Sequence, residues 1–149
     1  MRHKTPRIAT RAVLIHQNRL LLVNAWPDGK SDLWCAPGGG VQIGTSLPDN
    51  LAREVHEETG LHIFVGNPCL INEFHDPKSG FHQIEVFFRC STPDPDIDPA
   101  WRDPEGVVTD RRWVSEPQAR RLRLKPDSLI DVAFGTGGLT YDPLEPIQH

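Results

Sequence analysis

Four charged residues in one short segment, Arg53, Glu54, Glu57 and Glu58, have the types and spacing to do chemistry. An α-helix turns about 100° per residue, so the three glutamates would share one arc of roughly 100°. Arg53 and Glu57 are spaced to pair along the helix, but such a pair contributes only about 0.2–0.5 kcal/mol. A solvated helix face with salt bridges is therefore the alternative to a functional site.

The place of these glutamates on the predicted helix favours a site. They lie in its C-terminal half, where the helix macrodipole disfavours negative charge. A local conflict of this kind indicates function more than stability. A divalent cation would relieve the conflict, because Mg²⁺ takes carboxylate oxygens while keeping positions open for water and substrate phosphate.

A glycine-rich segment, Pro37-Gly38-Gly39-Gly40, precedes the same helix. Without side chains, its backbone can supply a carbonyl ligand or let a phosphate come close. It is not a Walker loop, because no Gly-Lys-Ser/Thr follows. By itself it would indicate an ordinary turn after a strand, and its interest comes from the acids beside it.

The composition limits the class of protein. The 149 residues, 38% of them apolar, fit one domain with a real core, and the net charge is −4. The lack of a basic stripe argues against duplex nucleic acid as a partner. The basic N-terminus lacks an apolar signal core, no apolar stretch could span a membrane, and the three cysteines are too far apart for a zinc knuckle. A cytoplasmic protein with reduced thiols is expected.

The pattern of apolar residues, turns and caps predicts the elements. Strands are expected at residues 8–16, 20–25, 33–36, 68–75, 81–90 and 107–114. A helix should begin at the N-cap Ser46 and end at Gly60, packing through Pro48, Ala52, Val55 and Thr59. Two shorter helices are expected at 115–122 and 126–134, a proline-rich loop at 91–106, and a loosely held tail at 136–149.

The stretch GGVQIGTSLPDNLAREVHEETGL, residues 39–61, resembles the Nudix box. That pattern is Gly, five residues, Glu, seven residues, Arg-Glu, an aliphatic, any residue, Glu-Glu, any residue, Gly, an aliphatic. The matching residues are Gly39, Arg53, Glu54, Val55, Glu57, Glu58, Gly60 and Leu61. The resemblance implies an α/β (α+β) Nudix fold, a mixed β-sheet sandwiched between helices, in a single domain 1–149 with its core at about 8–134.

The resemblance also implies a metal-dependent hydrolase of a phosphoanhydride bond. The substrate would be a nucleoside diphosphate derivative, such as a nucleoside triphosphate or an ADP-ribose-like molecule. Glu54, Glu57, Glu58 and the carbonyl of Gly38 would hold Mg²⁺ or Mn²⁺, and Arg53 would orient the acids.

The general base is left open between Glu57 and Glu105, the latter in the loop at 91–106. Gly39 and Gly40 are expected to contact the substrate. Glu85 could also face the site, but strand phase alone does not decide its side.

One position departs from the box, because Thr45 stands where the family has its first glutamate. We expect activity to be weakened or retuned, with Asp49 or Glu105 taking over part of the role. The alternative is a Nudix-fold module that binds a nucleotide with little turnover. A homodimer is expected by analogy only.

Substrate identity stays open in the sequence. Pro77 occupies a position where some ADP-ribose-cleaving relatives have proline, although shaping the 76–80 turn is the simpler interpretation. Aromatic residues that could stack on a base, although core packing is the default, are Trp26, Phe74, Phe81 and Trp101.

Overall fold

The computed structural model describes residues 5–24 and 30–149. The strands are β1 (Arg7–His16), β2 (Arg19–Asn24), β3 (Gly38–Gly40), β4 (Phe64–Asp76), β5 (Phe81–Ser91), β6 (Asp110–Val114) and β7 (Thr140–Pro146). The helices are α1 (Leu47–Thr59), α2 (Glu116–Ala119) and α3 (Leu129–Phe134). Trp26 and Ala25, the end of the second predicted strand, lie outside the described residues.

The strands form one mixed sheet in the order β6-β2-β1-β5-β4-β7, with β3 paired to β1. β1 runs parallel to β5 and β4 runs parallel to β7, whereas the other pairs are antiparallel. The β1–β2 turn uses Gln17 and Asn18 at φ 49° and 61°. Two central residues with positive φ are what a tight hairpin requires, because that turn matches the twist of its strands.

Both faces of the sheet are covered, because successive residues of a strand point to opposite sides. Val13, Leu70 and Phe87 lie in the core beneath α2 and α3. Leu14 and Phe88, one residue further along their strands, pack with α1. The predicted mixed sheet between helices is confirmed.

The long helix begins and ends where its caps predict. The Ser46 hydroxyl accepts a hydrogen bond from the Asp49 backbone N–H, and Gly60 takes the left-handed conformation at φ 78°. The helix packs on the sheet through Leu51 and Val55. Of the predicted face, Val55 and Thr59 are buried, whereas Pro48 is exposed and Ala52 only partly buried, because the apolar stripe lies further round the helix.

The other predicted helices and the strand at 107–114 are shorter in the structure. The segment 33–36 contributes only isolated bridges at Trp34 and Cys35. The expectation of a loosely held tail is wrong for Thr140–Pro146, which pairs with β4 as strand β7. Pairing to a distant strand leaves no local signal in a Gly- and Pro-rich segment. None of the helices in the described part of the chain has the length and apolar character that crossing a membrane requires.

Candidate active site

The three glutamates of α1 differ in burial because the helix packs along one side. Glu58, next to the buried Val55 stripe, is 5% exposed. The side chains of Glu54 and Glu57 are 12% and 27% exposed. The exposed fraction of the acids therefore increases from Glu58 through Glu54 to Glu57.

Arg53 holds the two more exposed acids. Its Nη2 donates to Glu54 Oε1 at 3.2 Å, and its Nη1 donates to Glu57 Oε1 at 3.0 Å. These bonds tie Arg53 to two of the three acids, and its role in orienting them stays a prediction from the resemblance.

Asn50 is a residue of the site that sequence reasoning missed. It is fully buried, and its Oδ1 accepts from Arg53 Nη2 at 2.9 Å and from the Gln42 backbone N–H at 3.2 Å. Its Nδ2 donates to Thr10 Oγ1 and to the Gly40 carbonyl. Asn50 therefore ties the helix to the glycine segment, and a signal existed in its spacing of three residues before Arg53.

The glycine segment lies against the acids. The Gly38 N–H donates to Glu58 Oε1 at 2.9 Å. A Cβ on Gly39 would come within 2.7 Å of the Glu54 carboxylate, so that carboxylate lies directly over the glycine. Gly40 is covered by the guanidinium of Arg7. Of the two glycines expected to contact substrate, Gly39 adjoins an acid and Gly40 adjoins a cation.

Arg11 and Glu85 form an ion pair of 2.7 Å on the sheet next to this segment. Arg11 Nη1 also donates to the carbonyls of Ala36 and Gly38, at 3.2 and 3.3 Å. The Gly38 carbonyl, predicted as a metal ligand, thus faces a guanidinium that competes with a cation for the same oxygen. The position of Glu85 is now defined: it is buried beside Arg11.

The loop between β5 and β6 brings further groups to α1. Asp103 accepts from three backbone N–H groups, those of Glu105, Val107 and Val108, and so shapes the turn that carries Glu105. Glu105 is exposed and lies close enough to influence the titration of Glu54. The same loop contributes Trp101, whose Nε1 donates to the Glu57 carbonyl.

Negative charge is crowded in this region. Burial raises the pKa of Glu58 to about 8, opposed by Arg11 and the Gly38 N–H and reinforced by Glu54 and Asp103. Burial also raises the pKa of Glu54, opposed by Arg53 and reinforced by Glu57 and Glu105. Burial is the largest cause of both shifts, because it disfavours the charged carboxylate, and the neighbouring acids add to it.

The donor chemistry of the site fits a hard divalent cation. Carboxylate oxygens are what such ions take, and the buried Oε2 of Glu57 has no hydrogen-bond partner among the described residues. Over residues 5–24 and 30–149, however, no three His, Cys, Asp or Glu side chains are arranged to hold a metal ion. One oxygen of each glutamate is bonded to Arg53 or to the Gly38 N–H, and the carboxylates must reorient to share a cation.

The aromatic residues considered for stacking on a base lie in different parts of the structure. Trp101 packs edge-on against His56 and over Gly60, closing the end of α1. Phe74 lines a cleft, with Phe81 beside it at a ring separation of 6.1 Å. Pro77 lies in a turn closed by Asp76, which supports its interpretation as a turn-shaping residue.

The chain is similar to known proteins in sequence and in fold. A family model described as the NUDIX domain matches residues 5–131. The "Putative ADP-ribose pyrophosphatase YjhB" of Bacillus subtilis (strain 168) is 30% identical over 95 residues, covering 62% of this chain and 44% of that protein. The match therefore spans less than half the length of that curated relative.

Solved structures show the same fold at lower identity. A crystal structure of a UDP-X diphosphatase has a TM-score of 0.72 and 20% identity, covering 95% of this chain and 70% of that chain. An ADP-ribose pyrophosphatase from Streptococcus suis 89-1591 has a TM-score of 0.64 and 22% identity, covering 95% and 100%. Because the family model spans most of the chain, the protein belongs to the NUDIX family.

Proposed function

We propose that this protein is a metal-dependent pyrophosphohydrolase that cleaves a phosphoanhydride bond in a nucleoside diphosphate derivative. The observation that carries the proposal is the cluster on α1: three glutamates, a shared arginine and a glycine backbone within hydrogen-bonding distance. The family membership and the names of its relatives, an ADP-ribose pyrophosphatase and a UDP-X diphosphatase, support the same class of reaction.

Glu54, Glu57 and Glu58 would hold Mg²⁺ or Mn²⁺. When bound, such an ion neutralises the diphosphate, acidifies a water and stabilises the leaving oxygen. Arg53 keeps Glu54 and Glu57 aimed, and the Gly38 N–H holds Glu58. The role of the Gly38 carbonyl as a further ligand stays a prediction, and its bond from Arg11 counts against it.

Two residues are candidates for the general base. Glu57 has one buried oxygen without a hydrogen-bond partner among the described residues, and its other oxygen is paired with Arg53. Glu105 is exposed on a loop whose turn is shaped by Asp103. The pH profiles of kcat for Glu57→Gln and Glu105→Gln separate them, because loss of the base removes the acidic limb of the profile.

A binding module with little turnover is the second candidate function. Two observations favour it: Thr45 replaces the first box glutamate, and the acids do not converge in the described part of the chain. A crowded set of carboxylates is costly to keep in a pure binder, which favours the enzyme.

The deciding experiment screens nucleoside triphosphates, ADP-ribose and UDP-sugars for release of phosphate or nucleoside monophosphate, with Mg²⁺ and with Mn²⁺. Glu58→Gln should reduce kcat by about a hundredfold or more, because it removes charge stabilisation at the reacting centre. The matched control is Glu73→Gln, a change on β4 at a glutamate whose carboxylate accepts from Tyr141 of β7. Hydrolysis that is equal in all three proteins, or absent from the whole panel, would reject the enzyme.

Localisation and assembly are proposed on weaker grounds. We expect a cytoplasmic protein that acts on a small nucleotide and binds neither duplex nucleic acid nor membrane. A homodimer is expected from relatives alone, and a monomer mass by light scattering at micromolar concentration would remove that expectation.

A further inference from the structure

A cleft of about 240 Å³ lies on the sheet face that carries α2 and α3. Its sheet residues, Arg11, Asn72, Phe74 and Glu85, alternate in phase with Val13, Leu70 and Phe87 of that face. The cleft is smaller than the roughly 300–1,000 Å³ of pockets that enclose a whole ligand, so it fits one part of a substrate. Arg11 connects the cleft to the acids, because its guanidinium donates to the carbonyl of Gly38, and the Gly38 N–H donates to Glu58.

Asn72 carries an unused hydrogen-bond acceptor in this cleft. The residue is 2% exposed, and its buried Oδ1 has no hydrogen-bond partner among the described residues. Leaving a buried carbonyl oxygen unpaired is unfavourable. Because Asn72 lines the cleft, this oxygen is the acceptor with which a donor on a ligand would pair.

The orientation of the Asn72 amide is determined by its neighbour. Asn72 and Glu85 are cross-strand partners, and Asn72 Nδ2 donates to Glu85 Oε1 at 3.3 Å. Turning the amide over would place its oxygen against a carboxylate oxygen that can only accept. The unpaired group is thus an acceptor, and its ligand partner must be an N–H or O–H.

The charges of the cleft indicate an uncharged partner. Arg11 pairs with Glu85 at 2.7 Å, and Lys125 pairs with Glu145 at 3.4 Å. Because the two cations are balanced by two carboxylates, the cleft offers little net attraction to a phosphate. It suits a neutral group that presents a hydrogen-bond donor.

The walls of the cleft indicate a flat apolar ring. Apolar side chains that line it are Leu33, Phe74, Pro126 and Ile147. An aromatic side chain with aliphatic neighbours offers apolar contact to a flat ring, which favours a heterocyclic base over a sugar.

We propose that Asn72 is a specificity-determining residue of this cleft, whose Oδ1 accepts an N–H from the nucleobase of the substrate. The inference rests on the proposed function, because it takes the bound nucleotide to be the substrate. Binding in the cleft itself does not require turnover. Asn72 touches the base and takes no part in the bond cleavage.

The matched control is Gln83. Gln83 is also buried, and its Nε2 donates to the same Glu85 carboxylate at 3.0 Å. Its Oε1 is already used, because it accepts from Arg7, and Gln83 does not line the cleft. Gln83→Leu therefore removes one amide donor from Glu85, as Asn72→Leu does, while leaving the free acceptor in place.

The experiment measures binding by calorimetry without divalent cations, so it does not depend on catalysis. The probes are AMP, GMP, CMP, UMP and ribose 5-phosphate, and the proteins are wild type, Asn72→Leu and Gln83→Leu. Wild type should bind at least one nucleotide better than ribose 5-phosphate. Asn72→Leu should weaken that nucleotide about tenfold, the effect of one buried hydrogen bond, whereas Gln83→Leu should stay within about twofold of wild type.

Asn72→Ala is the second variant, to be used if the leucine prevents folding. Four results would overturn the inference: no probe binds wild type, Asn72 variants bind as tightly as wild type, both positions weaken binding equally, or ribose 5-phosphate loses affinity as the nucleotide does. The last result would assign the donor to a sugar hydroxyl. Hydrolysis by wild type with Mg²⁺, measured separately, decides the proposed function whichever way binding turns out.

Discussion

Trp101 Nε1 donates a hydrogen bond of 2.8 Å to the backbone carbonyl of Glu57. The last carbonyls of a helix lack partners within it, and this bond satisfies one of them. Arg111 from β6 donates to the next one, the carbonyl of Glu58, and its positive charge suits a helix C-terminus. The acidic end of α1 is thereby attached to the loop that carries Asp103 and Glu105.

Trp101→Phe should therefore affect both stability and activity. The lost hydrogen bond should lower the unfolding free energy by about 1 kcal/mol, and the shifted loop should lower kcat by about tenfold. Trp113→Phe is the matched control, because its Nε1 bonds the Pro95 carbonyl in the same loop away from α1. Urea unfolding and steady-state kinetics on both variants check the prediction, which fails if their kcat values fall equally.

Asn50→Leu should damage the orientation of Arg53. The change leaves buried donors and acceptors unpaired, so the unfolding free energy should fall by about 2–3 kcal/mol. The rate constant kcat/KM should fall by more than about tenfold, because Arg53 loses one of its three acceptors. Asp49→Ala, at the exposed neighbouring position, should cost at most about 1 kcal/mol and lower kcat/KM much less than Asn50→Leu does. Similar kinetics for the two variants would contradict the role given to Asn50.

Gly39→Ala and Gly38→Ala should separate site geometry from stability. A Cβ on Gly39 would meet the Glu54 carboxylate, the far end of a flexible side chain, so Glu54 should move while the fold persists. A Cβ on Gly38, at φ 150°, would meet the backbone of Thr10, which cannot give way. We expect Gly39→Ala to lose activity at a nearly unchanged Tm, and Gly38→Ala to lower Tm by several degrees. Calorimetric melting with activity assays tests this, and a Tm loss as large for Gly39→Ala would refute it.

Thr45→Glu should restore the first acid of the box. A negative charge at the entrance to α1 is favoured by the helix dipole, and a fourth acceptor for Arg53 would supplement Asn50, Glu54 and Glu57. We expect kcat/KM to rise by about tenfold or less, which corresponds to roughly 1.4 kcal/mol of transition-state stabilisation. Thr45→Gln has the same length without the charge and should show no gain. Activity that appears only in the glutamate variant would instead identify the native chain as a binding module.

The thiols should be slow to react near neutral pH. Burial raises the pKa of Cys35 to about 11 and that of Cys90 to about 12. Since the thiolate is the reactive form, alkylation at pH 8 should be slower than for a free thiol of pKa ≈ 8.5, by roughly a hundredfold for Cys35 and roughly a thousandfold for Cys90. The rate should keep rising with pH above 9, where a free thiol levels off. Mass-spectrometric labelling against glutathione checks this, and a plateau near pH 9 would show that the pKa values are not raised.

Short-range patterns were enough to place the acids. The spacing of Glu54, Glu57 and Glu58, the cap at Ser46 and the stop at Gly60 are local, and the structure shows the same helix. Hairpins and the mixed sheet between helices also followed from local signals and family resemblance. Local patterns work here because helix periodicity and capping depend only on residues a few positions apart.

Long-range pairing decided the rest. Arg11 meets Glu85, and Trp101 meets the helix end, across separations of 74 and 44 residues. The tail forms β7 because β4 offers a free edge, and its Glu145 then completes the wall of the cleft. Asn72 depends on both local pattern and long-range packing. The alternation of residues along a strand places it on the same face as Leu70, but it does not predict that the Asn72 oxygen lacks a hydrogen-bond partner among the described residues. That property depends on where the Glu85 carboxylate lies, and only the packed sheet determines it.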